Sequence, residues 1–187
     1  MPKLVVKPVV AELWVDLERL FGPSGACSGC WCMWWRITAA EFSRDAGAAN
    51  RAAFRDIVRS GAVPGLLAYS GDTPVGWVCV APRTEFPRIE RSPKLRPVDD
   101  TPVWSIVCFF VDRAHRGENV AARLLREAVR WAASNGARVV EGYPVDPGKS
   151  AASSFTGVTP MFEAAGFREV ERRGGRPIMR KKVSARR

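Results

Sequence analysis

Histidine occurs once in this chain of 187 residues, at His115, and tyrosine only twice, at Tyr69 and Tyr143. The five cysteines are an odd number, and a chain of this size has no need of a disulfide scaffold. Cys27, Cys30 and Cys32 stand close together, but a structural zinc site wants four ligands. No second cysteine pair or histidine pair supplies the fourth, so no metal centre is expected. No uninterrupted apolar run approaches the ~20 residues that cross a bilayer. The opening Met1-Pro2-Lys3-Leu4-Val5-Val6-Lys7 is too short in its apolar part for a secretion signal and lacks a small-residue cleavage site. Internal repeats and low-complexity segments are absent too. The expectation is a reduced, cytoplasmic protein without a membrane partner.

The apolar fraction of 47% argues against disorder, and the length suits one domain over residues 1–187. Lys and Arg number 29 against 19 Asp and Glu, a net charge of +10. Such an excess fits nucleic acid, acidic lipid or a polyanionic cofactor. Much of it lies near the end, in Arg180, Lys181, Lys182, Arg186 and Arg187, which read as a solvated terminus. No nucleic-acid motif accompanies the charge, and no specific nucleic-acid partner is expected.

Leu4-Val5-Val6 reads as a short strand. Val9, Leu13, Leu17 and Leu20 have the spacing of one helical face, closed by Gly22-Pro23. A second helical region runs from Thr38 to Arg59, with Thr38 and Glu41 in capping-box spacing and Gly47 as a break. Gly65–Ser70 and Pro74–Val80 flank Gly71-Asp72-Thr73 as a hairpin. Residues 81–102 carry five prolines and read as a long loop, either functional and mobile or an ordinary insertion. A strand over Val103–Val111, an amphipathic helix over Val120–Ser134 and a strand over Arg138–Tyr143 follow. A short helix from Thr159 to Ala165 and two strands around Gly174-Gly175 close the chain.

Between the apolar strand and the amphipathic helix lies Asp112-Arg113-Ala114-His115-Arg116-Gly117-Glu118-Asn119. Amides at a helix start lack internal acceptors, and the helix dipole adds partial positive charge. With Arg116 beside them they form a receptacle for phosphate. Arg116-Gly117-Glu118-Asn119-Val120-Ala121 resembles the signature Arg/Gln-x-x-Gly-x-Gly/Ala of GNAT-type N-acetyltransferases, with Asn119 where that family has glycine. Met161-Phe162-Glu163-Ala164-Ala165-Gly166-Phe167 is similar to the family's later signature, and the element order is close to the family's throughout.

The resemblance implies an α/β fold: one GNAT-type domain whose central mixed, mostly antiparallel sheet carries helices on both faces. It implies acetyl-CoA as cosubstrate. Phe109, Phe110 and Val111 would offer backbone to the pantetheine arm. Arg116, Gly117, Glu118, Asn119, Val120, Ala121 and Ala122 would hold the pyrophosphate, with Phe162 beside the thiol. Many members have a proton-donating tyrosine where this chain has Phe162, and an asparagine where it has Phe155.

Tyr143, at the end of the strand beside the presumed gap, is the better remaining donor. Glu141, two residues earlier, shares its face. It either takes the proton of the acceptor amine or forms a salt bridge to an arginine. His115 falls on the phosphate side, as a phosphate or solvent contact. In this fold the segment between the first two helices borders the acceptor. Trp31, Trp34, Trp35 and Arg36 there form either a pocket wall or a core cluster. The expected activity is transfer of acetyl from acetyl-CoA to the primary amine of a small molecule or a lysine side chain. A non-catalytic acyl-CoA-binding protein and a metal- or redox-responsive cysteine protein are the alternatives. A homodimer is compatible with the sequence.

Overall fold

The computed structural model describes residues 4–148 and 151–184. Strand β1 (Leu4–Pro8) leads through a 3-10 turn at Ala11–Leu13 into α1 (Trp14–Phe21), whose inner stripe buries Trp14, Leu17, Leu20 and Phe21. After an irregular loop come α2 (Ala39–Asp45) and α3 (Ala48–Arg59), separated at Gly47. The capping box forms: Thr38 Oγ1 accepts the Glu41 amide at 3.2 Å, and Glu41 Oε2 accepts the Thr38 amide at 2.7 Å. The hairpin is β2 (Gly65–Ser70) and β3 (Thr73–Pro82).

The proline-rich segment is more ordered than a loop. It holds a 3-10 turn at Arg83–Glu85 and α4 (Pro87–Glu90), and it buries Phe86, Ile89 and Leu95 in the core. Then follow β4 (Trp104–Val111), α5 (Val120–Ser134), β5 (Val139–Gly142), a 3-10 segment at Ala151–Thr156, α6 (Thr159–Ala164), β6 (Arg168–Arg173) and β7 (Arg176–Lys182).

The strands form one sheet in the order β1-β2-β3-β4-β5-β7-β6, antiparallel except between β4 and β5. One face packs Trp14, Phe21, Phe54, Trp77 and Phe86 beneath α1, α3 and the loop before α2; the other packs Val78, Ile106, Leu124 and Phe162 beneath α5 and α6. The sheet is mixed, mostly antiparallel and helix-covered on both faces, as the resemblance implied. Among the described residues no helix is long and apolar enough to cross a membrane.

The reading of the basic end as solvated is corrected for its inner half. Arg180, Lys181 and Lys182 belong to β7, which pairs with both β5 and β6. Arg180 points into the interior, and Lys181 Nζ donates to the Ala165 carbonyl at 2.6 Å. Arg186 and Arg187 lie outside the described residues, as do Met1, Pro2 and Lys3 of the opening segment.

One feature of the sheet positions the site. Strands β4 and β5 pair only from Trp104/Val140 to Ile106/Gly142. Beyond that, β4 continues to Val111 against β3, whereas the chain after Gly142 leads to Val145, which bridges Val158. The register between β3 and β4 also slips where the strands part. Cys79 faces Cys108 and Val80 faces Ile106, so Val107 is a bulge with no opposite residue.

Candidate active site

The turn after β4 is held from within. Asp112 Oδ1 accepts the Ala114 amide at 2.9 Å, and Arg116 Nε donates to the Val111 carbonyl at 3.3 Å. Gly117 has φ +85° and Asn119 φ +59°, both left-handed. Asparagine is among the few side-chain-bearing residues that enter this region readily, which is how Asn119 stands in for glycine. The Asn119 side chain makes no cap to α5. The amides of Val120, Ala121 and Ala122 therefore point out of the helix start without an intrahelical acceptor. His115 Nδ1 lies 2.9 Å from Glu118 Oε2, so the two side chains pair at the rim.

Along the separated part of β4, Phe109 lies on the α5 face and Phe110 on the other, where it meets Phe21 edge-on at 5.8 Å. Phe162 is fully buried between Phe109 and Phe167, at ring distances of 6.2 and 5.0 Å. Its ring occupies the space above Gly142, where a Cβ would stand 2.1 Å from it. The position carries no hydroxyl, and the ring is part of the packing that holds β5 under α6.

At the end where β4 and β5 still pair, Ser105, Glu141 and Arg180 are cross-strand neighbours on one face. They form a buried polar chain with Tyr143. The Tyr143 hydroxyl is 2.6 Å from Glu141 Oε1 and 2.8 Å from Ser105 Oγ. Glu141 Oε2 accepts from Arg180 Nε at 2.6 Å, and Arg83 Nη1 stands 3.8 Å from Oε1. Arg180 in turn pairs with Asp99 at 2.7 Å, which holds the Asp99 carboxyl below the usual carboxylate range. A carboxylate only accepts, so Tyr143 donates to Glu141 and its oxygen accepts from Ser105. Burial, then the negative charge of Glu141, pushes the Tyr143 phenol well up from its ordinary value. Sequence reasoning brought Glu141 and Tyr143 to one face. It missed Ser105, Arg83, Arg180 and Asp99, although a lone hydroxyl in the apolar run Val103–Val111 was a signal for Ser105.

The loop between α1 and α2 closes the same face. Among the described residues, five without glycine's freedom have positive φ: Asn119, and within this loop Ala26, Ser28, Trp31 and Cys32. Such conformations cost on the order of 1–3 kcal/mol each and gather at functional loops. Trp31 is buried, stacked on Trp14 at 6.0 Å, and Arg36 is 7% exposed, paired with Glu85 at 2.7 Å. Trp34 is 37% exposed, with Phe42 edge-on at 4.9 Å and the Arg88 guanidinium 3.8 Å from its ring centre. Trp35 runs inward, and its indole nitrogen donates to the carbonyl of Val107, the bulged residue, at 3.0 Å. Phe155 lies 6.3 Å from the Trp35 ring. Of the four aromatic-loop residues expected at the acceptor, Trp34 and Trp35 thus reach the bulge and its mouth, while Trp31 and Arg36 sit in the packing behind.

The cysteines of this loop do not converge. Cys27 is exposed, Cys30 half-buried, and Cys32 buried with its sulfur accepting from Trp77 Nε1 at 2.9 Å. Among the described residues no three His, Cys, Asp or Glu side chains are grouped to hold a metal ion.

Residues 31–155 match the model of the acetyltransferase (GNAT) family. The chain belongs to that family. Acetyl-CoA is the family's cosubstrate. The late segment around Phe162 lies outside the matched residues. No curated protein matches the chain by sequence.

Among solved structures, a GNAT acetyltransferase from Listeria monocytogenes is 9% identical with a TM-score of 0.60, over 97% of this chain and 96% of that one. The PaiA N-acetyltransferase of Thermoplasma acidophilum, solved with coenzyme A, is 15% identical with a TM-score of 0.55, over 97% and 99%. A histone acetyltransferase HPA2 and related acetyltransferase from Corynebacterium glutamicum is 17% identical with a TM-score of 0.57, over 97% of each. At such identities the likeness is one of fold.

Proposed function

We propose that this GNAT protein transfers the acetyl group of acetyl-CoA to a primary amine, either of a small molecule or of a lysine side chain. The observation that carries the reading is the parting of β4 from β5 beside an uncapped helix start. The open backbone of Phe109, Phe110 and Val111 is suited to an extended pantetheine arm. The turn from Arg116 to Ala122, with its unpartnered amides, is suited to a pyrophosphate. Acetyl-CoA, when bound, supplies a thioester whose acyl carbon a neutral amine can attack.

The chain's own part is to orient the amine, to exclude water and to manage protons. Trp34 and Trp35 form an apolar mouth at the bulge. Glu141 and Tyr143 are our choice for handling the acceptor's proton and that of the departing thiol. What supports this is their hydrogen bond, their burial, and the absence of a hydroxyl at Phe162. In this division Glu141 takes the proton of the acceptor amine and Tyr143 donates to the departing thiolate.

Titration with acetyl-CoA followed by an amine panel tests the reading. Saturable binding with turnover is the expected outcome; binding without turnover would make the chain an acyl-CoA-binding protein instead. A bulky residue at Gly117, where φ is +85°, should weaken acetyl-CoA binding by tenfold or so (~1.4 kcal/mol). Unchanged affinity would remove the pyrophosphate from this turn.

A further inference from the structure

Of the half-buried arginines among the described residues, two lack a carboxylate partner: Arg88, at the aromatic mouth, and Arg176, beside Thr156 and Tyr143. Arg88 lies over Trp34 and donates through Nε to the Ile37 carbonyl at 3.2 Å. Arg176, at the start of β7, is half-buried. Its Nη2 donates to Thr156 Oγ1 and to the Tyr143 carbonyl, both at 2.7 Å, and its Nε is buried without a partner. Desolvation pushes the proton affinity of both guanidiniums down, whereas Arg44 and Arg172, hydrogen-bonded to carboxylates, are pushed up, as is Arg180 against its own desolvation.

A buried guanidinium without an anion is costly, and an unpaired N–H within it adds to that cost. The surroundings of Arg176 make it the stronger of the two. Thr156 is fully buried, and its neighbour Phe155 is the outer aromatic of the row that runs through Trp35 to Trp34. Tyr143 links Arg176 to the polar chain, since its carbonyl accepts from the guanidinium while its hydroxyl donates to Glu141. A guanidinium without a carboxylate partner and a carboxylate already paired with Arg180 therefore flank one residue, Tyr143.

We infer that the acceptor is an amino acid with an aromatic side chain, its carboxylate bound by Arg176 and its ring against Trp34, Trp35 and Phe155. Thr156 and Tyr143 take both N–H groups of Nη2, which orients the arginine and leaves Nη1 to make one charge-assisted bond to a carboxylate oxygen. This inference rests on the acetyltransferase reading above and narrows its acceptor.

The test compares phenylalanine and tryptophan with phenethylamine and tryptamine, which keep ring and amine but lack the carboxylate, and with a lysine-containing peptide. Acetyl-CoA binding is measured separately by calorimetry. The expected result is a kcat/KM for the amino acids at least roughly tenfold above that of the carboxylate-free amines, the worth of one charge-assisted contact. In Arg176→Gln that ratio should collapse toward one, and Arg176→Lys should restore part of it. The ratio is internal to each preparation and does not depend on how much of a variant folds. If Arg176→Gln gives no soluble protein, the wild-type ratio alone decides. Equal or better turnover of the amines or of the peptide would overturn the acceptor assignment while leaving the transferase reading intact. Acetyl-CoA binding with no turnover of any amine would remove both.

Discussion

Trp35 reaches across 72 positions of sequence to hold one carbonyl, that of Val107. The bond matters because Val107 is where the β3–β4 register slips and where β4 leaves β5. Trp35→Phe keeps an aromatic ring and removes the donor, leaving a buried carbonyl unpaired at a cost of about 1–3 kcal/mol. Urea unfolding should register that loss, and kcat should fall while acetyl-CoA affinity stays near wild type. A variant with full stability and full kcat would mean that water or repacking replaces the indole and that the bond positions nothing. Asn119 likewise acts through its backbone. The motif position usually filled by glycine is occupied by a residue that adopts φ +59°, so the turn keeps its backbone course.

Among the elements, the face proposed for the acceptor is built from short helices and an irregular loop. Helix α2 has no buried residue and depends on its capping box. Thr38→Ala removes that cap and should cost about 1 kcal/mol, lowering Tm by roughly 2–4 °C for a chain of this length. Acetyl-CoA affinity should not change, because the proposed pyrophosphate turn lies after β4. A loss of acetyl-CoA binding in this variant would mean that α2 and the phosphate turn are coupled. The loop before α2 is tied down from another direction: the Gly47 amide and Asn50 Nδ2 both donate to the Gly29 carbonyl at 3.0 Å. Those bonds hold the left-handed residues of that loop in conformations they would not keep alone.

The whole molecule stores neutral acids in its interior. The thiols of Cys32 and Cys79 are pushed well up, the first foremost by Cys108, the second foremost by Cys32, and burial adds to both; the Tyr143 phenol is raised by burial and by Glu141. Groups with raised values keep their protons longer in the folded chain than in the unfolded one. Their stabilisation is complete below the unfolded values, near 8.5 for thiols and 10 for phenol, and is lost as pH rises past them. Tm should therefore fall progressively from about pH 8.5 to 10.5. A flat Tm through pH 10.5 would show that these groups are not buried as described. The carboxyls of Asp99 and Glu41 are held low, Asp99 by Arg180 and Glu41 by Thr38. Their contributions are present above about pH 4 and lost as pH falls, and they are small because both are solvent-exposed.

Most elements and their order are legible in the sequence because they follow from local chemistry; the turn and helix over residues 83–90 are not, since their prolines read as loop and only the burial of Phe86 and Ile89 orders them. The 3.6-residue stripe of α5, the Thr38–Glu41 box, the glycine break at Gly47 and the uncapped turn before Val120 are settled by neighbours a few positions apart. The family signature is legible for the same reason, being one turn and one helix start. Which residues meet across the sheet depends on long-range pairing. Glu141 finds Arg180 only because β7 inserts between β5 and β6, 39 positions later in the chain. Ser105 joins Tyr143 only because β4 and β5 pair in parallel for three residues before parting. Trp31 turns into the core and Trp34 outward through left-handed backbone that no periodicity announces. The basic stretch from Arg180 to Lys182 reads as a solvated end until strand pairing places it in the sheet. Charge counts register how many arginines a chain has, whereas partners depend on register and topology, which are properties of contacts far apart in sequence.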